Sequence, residues 1–176
     1  MRIFEPRYVR MMKDCIRDDT PFGVCLIKEG NEAGSPAIPE NLGCSATIQQ
    51  WDMPHLGLFQ VFARGERVFQ LLDYRVEKDG LIRGEVAFQD DQPLTNVPEE
   101  LEPCREVLRQ FIERVGPSHF PSPIQLNDAG WVSYRLGELL PVESDTKQQL
   151  LGMRDHLARL SLIDQILDSQ RDSTQM

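Results

Sequence analysis

The sequence lacks most of the patterns that mark a cofactor, metal or membrane site. Its four cysteines are widely spaced, with no Cys-x-x-Cys pair, and none of its three histidines stands at a metal-ligand spacing from another ligand residue. It has no Gly-x-x-x-x-Gly-Lys-Ser/Thr loop to hold nucleotide phosphates. No apolar run approaches the ~20 residues needed to span a bilayer. We therefore expect no cofactor, no metal site, no membrane anchor and a cytoplasmic location.

Positive charge is also scarce. The chain has 19 Lys and Arg against 28 Asp and Glu, a formal net charge of −9, and the acidic excess is spread over both halves. Nucleic-acid binding draws much of its affinity from basic side chains that neutralise phosphates. The composition therefore disfavours nucleic acid as the main partner and is otherwise ordinary for a soluble globular protein.

Candidate catalytic pairs have simpler explanations. Ser144 and Lys147 have Ser-x-x-Lys spacing, but the companion motifs are missing and Ser144 suits a helix N-cap. His156 follows Asp155 directly, and adjacent residues of a helix do not face each other. The cysteines are typical of small buried hydrophobic residues in a reducing compartment. We expect no catalytic residue.

What the sequence does contain is a β-rich part followed by a helical part. Beyond residue 96, apolar residues recur at helical spacing, whereas before it short apolar runs alternate with turns. The predicted strands are 22–28, 43–52, 58–63, 67–77 and 81–89, with a long loop at 29–43. The strand at 58–63 is apolar on both faces, so we expect both faces to be covered. The predicted fold class is α+β, with residues 1–96 forming a β pseudo-barrel and residues 97–176 a helical bundle.

The segment from Arg2 to Tyr8 is predicted to turn a strand into a helix. Pro6 has a fixed φ and no N–H, which suits the first helical turn. After it, apolar residues keep the spacing of one helix face. We expect Arg2, Glu5 and Arg7 to pair within this corner. Its motif residues are Arg2, Phe4, Glu5, Pro6, Arg7 and Tyr8.

The corner also carries a family resemblance. Together with Pro21–Val24, Ala63–Phe69 and Trp131–Leu136, it resembles the N-terminal substrate-binding domain of the Lon protease family over almost the whole chain. The resemblance implies a PUA-like pseudo-barrel followed by a helical bundle. It also raises ATPase and peptidase activity, but the sequence has neither the nucleotide-phosphate loop nor the Ser-Lys pair of a peptidase, so we expect a stand-alone domain that is not an enzyme. It also implies a non-catalytic module of bacterial protein quality control that binds unfolded or extended polypeptide segments, as an adaptor with a protease as a further partner.

Two other functions stay open. The barrel type alone suggests an RNA-associated PUA-like module, which the net charge argues against. A cofactor-free hydrolase would need a nucleophile beside a base in a pocket.

The predicted polypeptide-binding residues lie in and after one hairpin turn. Trp51, Met53 and Leu56 concentrate large apolar side chains where a loop should meet water, and Phe59 follows in the next strand. The alternative is that Trp51 and Leu56 fold back onto the sheet.

The position of the corner at the start of the chain predicts an open sheet edge. Family members usually have an apolar strand before this motif, whereas here Met1 directly precedes it. Two explanations stay open: the start of this sequence is truncated or assigned too late, or the barrel lacks this strand and has a gap beside the strand of Ile3 and Phe4. An unpaired edge can accept a peptide strand or pair with a second copy in a homodimer.

Overall fold

The computed structural model describes residues 1–90 and 92–174. They form two compact units, and the first ends at residue 90 rather than at the predicted 96. No described helix is long and apolar enough to cross a membrane.

The first unit is a five-stranded antiparallel sheet with one helix. Its elements are β1 (Arg2–Ile3), α1 (Pro6–Asp18), β2 (Phe22–Glu29), β3 (Ile38–His55), β4 (Leu58–Val76) and β5 (Ile82–Phe88). The sheet order is β1-β4-β3-β2, and β5 also pairs with β4. One side of β4 therefore pairs with β3, while β1 and β5 share the other side.

Strands β3 and β4 are long and irregular. They contain 18 and 19 residues, well beyond the usual strand length, and several register shifts interrupt their pairing. The predicted strands 58–63 and 67–77 are thus parts of one strand that continues through Gly65. The predicted loop 29–43 is also too long, because β3 already begins at Ile38 in a bulged pairing with β2.

Helix α1 begins as the corner predicts and packs on the sheet. Pro6 lies in its first turn, and its residues Met12 and Cys15 are buried. They share a core with Phe22, Ala46, Phe59 and Val61 of the strands. The helix covers one face of the strands that carry the candidate site.

The second unit is helical. Its main helices are α2 (Glu102–Val115), α3 (Ala129–Leu139), α4 (Ser144–Gly152) and α5 (His156–Thr174). Asp128 caps α3 by accepting a hydrogen bond from the Trp131 amide at 2.9 Å, and Asp155 accepts from two amides of the first turn of α5. Both carboxylates therefore cap the first turn of their helices. The predicted Ser144 cap is wrong by one residue, since Glu143 is the N-cap of α4 and its side chain makes no capping bond.

The buried side chains of the second unit form one continuous core. It includes Cys104, Leu108, Val132, Leu136, Leu160 and Ile163, from α2, α3 and α5. A β-rich first unit and a helical second unit confirm the predicted α+β class.

Candidate functional site

The β3–β4 hairpin presents most of the apolar side chains predicted to bind. Leu56, in the turn, is 96 % exposed, and Trp51 is 50 % exposed. The Trp51 ring lies 5.7 Å from the Phe59 ring, centroid to centroid. Met53 is half-buried and packs against the core of the first unit. Leu56 therefore does not fold back onto the sheet, and Trp51 does so only in part.

Two phenylalanines of β4 face opposite ways. Phe59 is 2 % exposed and belongs to the core, so it supports Trp51 from beneath and has almost no surface of its own for a ligand. Phe62, three residues along the strand, is 63 % exposed. The prediction that 58–63 is covered on both faces is wrong, because Gln60 and Phe62 face solvent. Gln60 and Arg64, each two residues from Phe62, are the sequence signal that marks this face as solvated.

An open cleft of about 500 Å³ lies beside this hairpin. Its lining residues are Met1, Arg2, Gln50, Trp51, Asp52, Gln60, Val61 and Phe62. A second cleft of about 180 Å³ involves residues of α1 and β3, and Trp51 lines both. The half-exposed indole thus stands between two concave surfaces, with Phe62 at the edge of the larger one.

The corner holds a loop in place. Arg7 is buried, and its Nη1 and Nη2 donate to the carbonyl oxygens of Gly34 and Glu32 at 2.8 and 3.0 Å. The Glu5 carboxylate is 3.9 Å away, so the predicted pairing within the corner is the weaker contact. The guanidinium also lies 5.1 Å from the centre of the Tyr8 ring. Arg7 therefore anchors the β2–β3 loop to α1.

The remaining corner residues have different positions, either in helix α1 or at the surface. Pro6 begins α1, whereas Arg2 lines the larger cleft and Phe4 is 61 % exposed. The structure brings Arg2 together with Trp51 but does not place the six motif residues in one site.

Ion pairs connect α1 to the turn between β4 and β5. Arg10 contacts both Glu77 and Asp79, and Arg83 also bonds Glu77. Hydrogen bonds from Arg10 and then Arg83 hold the pKa of Glu77 below its ordinary value. These contacts stabilise the first unit, which carries both the corner and the hairpin.

The candidate catalytic pairs are engaged elsewhere. Asp155 accepts backbone hydrogen bonds as a helix cap, and Lys147 Nζ donates to the Glu138 carbonyl at 3.1 Å. Burial, followed by the hydrogen bond to Asp164, raises the pKa of Cys104 to about 12, which keeps this thiol protonated. Within residues 1–90 and 92–174, no three His, Cys, Asp or Glu side chains are grouped to hold a metal ion.

The second unit buries an unusual polar cluster. Arg159 is 1 % exposed, and its guanidinium carbon lies 3.7 Å from the centre of the Tyr134 ring. None of its three side-chain nitrogens has a hydrogen-bond partner in the described part of the chain. Burial lowers the pKa of the neighbouring His156, whose ring is 6.4 Å from that of Tyr134. The close stacking indicates a cation–π contact within the core.

Comparison with known proteins decides the family. A family model described as the substrate-binding domain of ATP-dependent protease La (Lon) matches residues 1–169. The chain belongs to the Lon substrate-binding domain family. A search of curated proteins gives no significant match.

Solved structures of Lon N-terminal domains share its fold. A Lon N-terminal domain protein from Xanthomonas campestris is 30 % identical, with a TM-score of 0.74, over 96 % of this chain and 86 % of that one. The N-terminal domain of a Lon protease from the Mycobacterium avium complex is 18 % identical, with a TM-score of 0.52, over 82 % of this chain and 87 % of that one. The second likeness supports the fold alone. Family membership confirms the predicted resemblance and makes this Lon-type chain a substrate-binding module.

Proposed function

We propose that this chain binds unfolded or extended polypeptide segments through the exposed apolar side chains of the β3–β4 hairpin. The observation that carries the proposal is the grouping of Trp51 and Phe62 around a cleft of about 500 Å³, with Leu56 exposed in the adjoining turn. We name these three residues the hairpin surface. Bound segments would be passed intact to a protease, so that the chain acts as a non-catalytic adaptor in bacterial cytoplasmic protein quality control.

The hairpin surface suits polypeptides that have lost their fold. Unfolded segments expose apolar side chains that a folded protein buries, and large exposed apolar residues that cluster on a surface mark interaction sites. Leu56 has almost its whole side chain available, since it is 96 % exposed. Burial of one such side chain by a client contributes about 1.5–3 kcal/mol. Two or three contacts of this kind give useful affinity without a defined sequence motif.

The polar residues of the cleft also fit a polypeptide. Gln50, Gln60 and Asp52 line it together with Arg2, so the cleft carries one basic and one acidic side chain. These side chains can hydrogen-bond to the main chain of a bound polypeptide and can pair with its basic or acidic side chains. A groove for nucleic acid would instead need several basic groups.

A pair of matched leucine variants tests the proposal. Binding of a fluorescently labelled, permanently unfolded polypeptide is measured by anisotropy with the wild type, Leu56→Ser and Leu94→Ser. Leu94 belongs to the second unit and is 80 % exposed, so its variant makes the same chemical change outside the hairpin sequence. We expect Leu56→Ser to bind about tenfold more weakly, for the loss of one buried apolar contact, and Leu94→Ser to bind like the wild type.

Two results would count against the proposal. Equal affinities of the three proteins would show that the hairpin surface does not contribute to binding. Absence of binding by the wild type would refute polypeptide recognition itself. The adaptor role has its own readout, the rate at which a protease degrades the same polypeptide with and without the chain. An unchanged rate would limit the function to binding.

A further inference from the structure

The first turn of α3 and the start of α5 pack against each other through the ring of His156. A Cβ atom placed on Gly130 would lie 2.6 Å from both Cε1 and Nδ1 of this ring, so only glycine leaves room for it. The ring also meets Tyr134, one turn further along α3, edge to face at 6.4 Å between ring centroids. The imidazole is therefore a direct contact between the two helices.

The surroundings of this imidazole suit a neutral ring. Its Nδ1 atom is buried and has no hydrogen-bond partner among the residues described. The ring lies against the first turn of α3, where the helix dipole gives a partial positive charge. Arg159, one turn along α5, is 1 % exposed, and its guanidinium carbon lies 3.7 Å from the centre of the Tyr134 ring. Protonation of His156 would make both ring nitrogens donors and add a second cation to this cluster.

Two carboxylates near His156 favour the protonated ring, but both already accept backbone hydrogen bonds. Asp128 accepts from the amides of Thr95 and Trp131 at 3.1 and 2.9 Å, one on each carboxylate oxygen. Asp155 accepts from two amides of the first turn of α5. Pairing with an imidazolium would compete with these bonds. Burial is the largest influence on the ring and outweighs both carboxylates, so the pKa of His156 lies below its ordinary value of 6.5.

We propose that His156 is an acid-sensitive contact, which holds the starts of α3 and α5 together when it is neutral and weakens their packing when it is protonated. Histidine suits this role, because its ordinary titration falls between pH 5 and 8. The proposal goes beyond polypeptide binding and concerns the second unit alone. It is therefore tested separately from the proposed function.

The direction of the pH effect follows from the lowered pKa. The stability that neutral His156 contributes is complete above the ordinary pKa of 6.5. It is lost as the pH falls from that value through the lowered pKa of the folded state, because the unfolded chain takes up the proton first. Since one proton is involved, this group can raise the unfolding constant by at most about tenfold per pH unit.

The test follows unfolding of the full chain in urea at several pH values between about 7.5 and 5.5. Trp131 is adjacent to Gly130 and reports the second unit, once Trp51 is replaced by phenylalanine in all proteins. The wild type is compared with His156→Phe, which keeps an aromatic ring that does not titrate. The control is His119→Gln, which removes the other histidine of the second unit.

We expect the unfolding constant of the wild type to rise relative to that of His156→Phe by at least about twofold as the pH falls over this range. His119→Gln should follow the wild type. Arg159→Met should show a smaller rise, because it removes the second cation but leaves the ring buried. At the lower pH, amides of the first turn of α5 should exchange hydrogen faster in the wild type than in His156→Phe. The His156 ring signals should titrate below pH 6.5 in NMR spectra of the wild type.

Three results would overturn the proposal. They are the same pH dependence of unfolding in the wild type and His156→Phe, titration of the wild-type His156 ring at or above pH 6.5, or equal exchange at the start of α5 in acid. If His156→Phe does not fold, His156→Gln replaces it, and the NMR titration of the wild type decides without any variant. The hairpin surface lies in the first unit, so none of these results changes the proposed function.

Discussion

Phe59 and Phe62 provide a test of which face of β4 is available to a ligand. Truncation to alanine removes the same atoms from the same strand at both positions. Phe59 is 2 % exposed, so Phe59→Ala should lose about 3–5 kcal/mol of unfolding free energy through lost burial and a cavity. Phe62 is 63 % exposed, so about a third of it is buried. Complete burial contributes about 1.5–3 kcal/mol, and Phe62→Ala should therefore lose at most about 1 kcal/mol.

Urea unfolding followed by Trp51 fluorescence measures this difference. The second tryptophan, Trp131, lies in the other unit and is first replaced by phenylalanine in all proteins compared. The Trp51 signal then reports the first unit alone, and its contact with Phe59 makes it sensitive to local unfolding. We expect the two alanine variants to differ by at least 2 kcal/mol, roughly, at an unchanged m-value.

Binding by the same variants completes the test. Phe62→Ala should bind unfolded polypeptide more weakly while keeping nearly full stability. If it destabilises the unit as much as Phe59→Ala does, Phe62 is a core residue and the reasoning about an open face is wrong.

Three further predictions concern residues outside the hairpin surface. Arg7→Met removes both bonds to the β2–β3 loop and should make that loop more sensitive to limited proteolysis; unchanged cleavage would contradict the anchoring role. Glu77→Gln should lower the Tm at pH 7, because hydrogen bonds from Arg10 and Arg83 to the ionised carboxylate stabilise the folded state and lower the pKa of Glu77. The stabilisation from ionised Glu77 is complete above the ordinary pKa of 4.5 and is lost as the pH falls through the lowered pKa. The Tm values of the wild type and Glu77→Gln should therefore converge in acid. A difference in Tm that stays constant with pH would contradict this prediction. Arg159→Met should be neutral or stabilising in chemical denaturation, because it removes a buried guanidinium whose nitrogens lack hydrogen-bond partners and can keep an apolar contact with Tyr134. Arg159→Ala should lose about 2–4 kcal/mol of unfolding free energy, and the reverse order of the two variants would contradict this reasoning.

Features set by local chemistry could be predicted from the sequence. Pro6 determines where α1 begins, and Asp128 and Asp155 cap their helices because their carboxylates reach amides two or three residues away. The β-rich and helical parts, and hence the α+β class, follow from the spacing of apolar residues. The family resemblance rests on motifs that are themselves contiguous.

Features set by distant contacts could not be predicted in the same way. Phe59 and Phe62 have the same side chain, and only the packing of α1 against one face of the sheet separates a core residue from a surface one. The partners of Arg7 are backbone carbonyl oxygens. Because every residue has a backbone carbonyl, the sequence does not indicate which residues Arg7 will contact.

The most direct measurement of the central claim is the affinity of Phe62→Ser for a permanently unfolded polypeptide, compared with that of Leu72→Ser. Both residues lie on β4 and are exposed, at 63 % and 59 %, but Leu72 lies in the part that pairs with β5, away from the cleft. The account predicts about tenfold weaker binding by Phe62→Ser and unchanged binding by Leu72→Ser, with both proteins folded. Equal affinities of the two variants would contradict it.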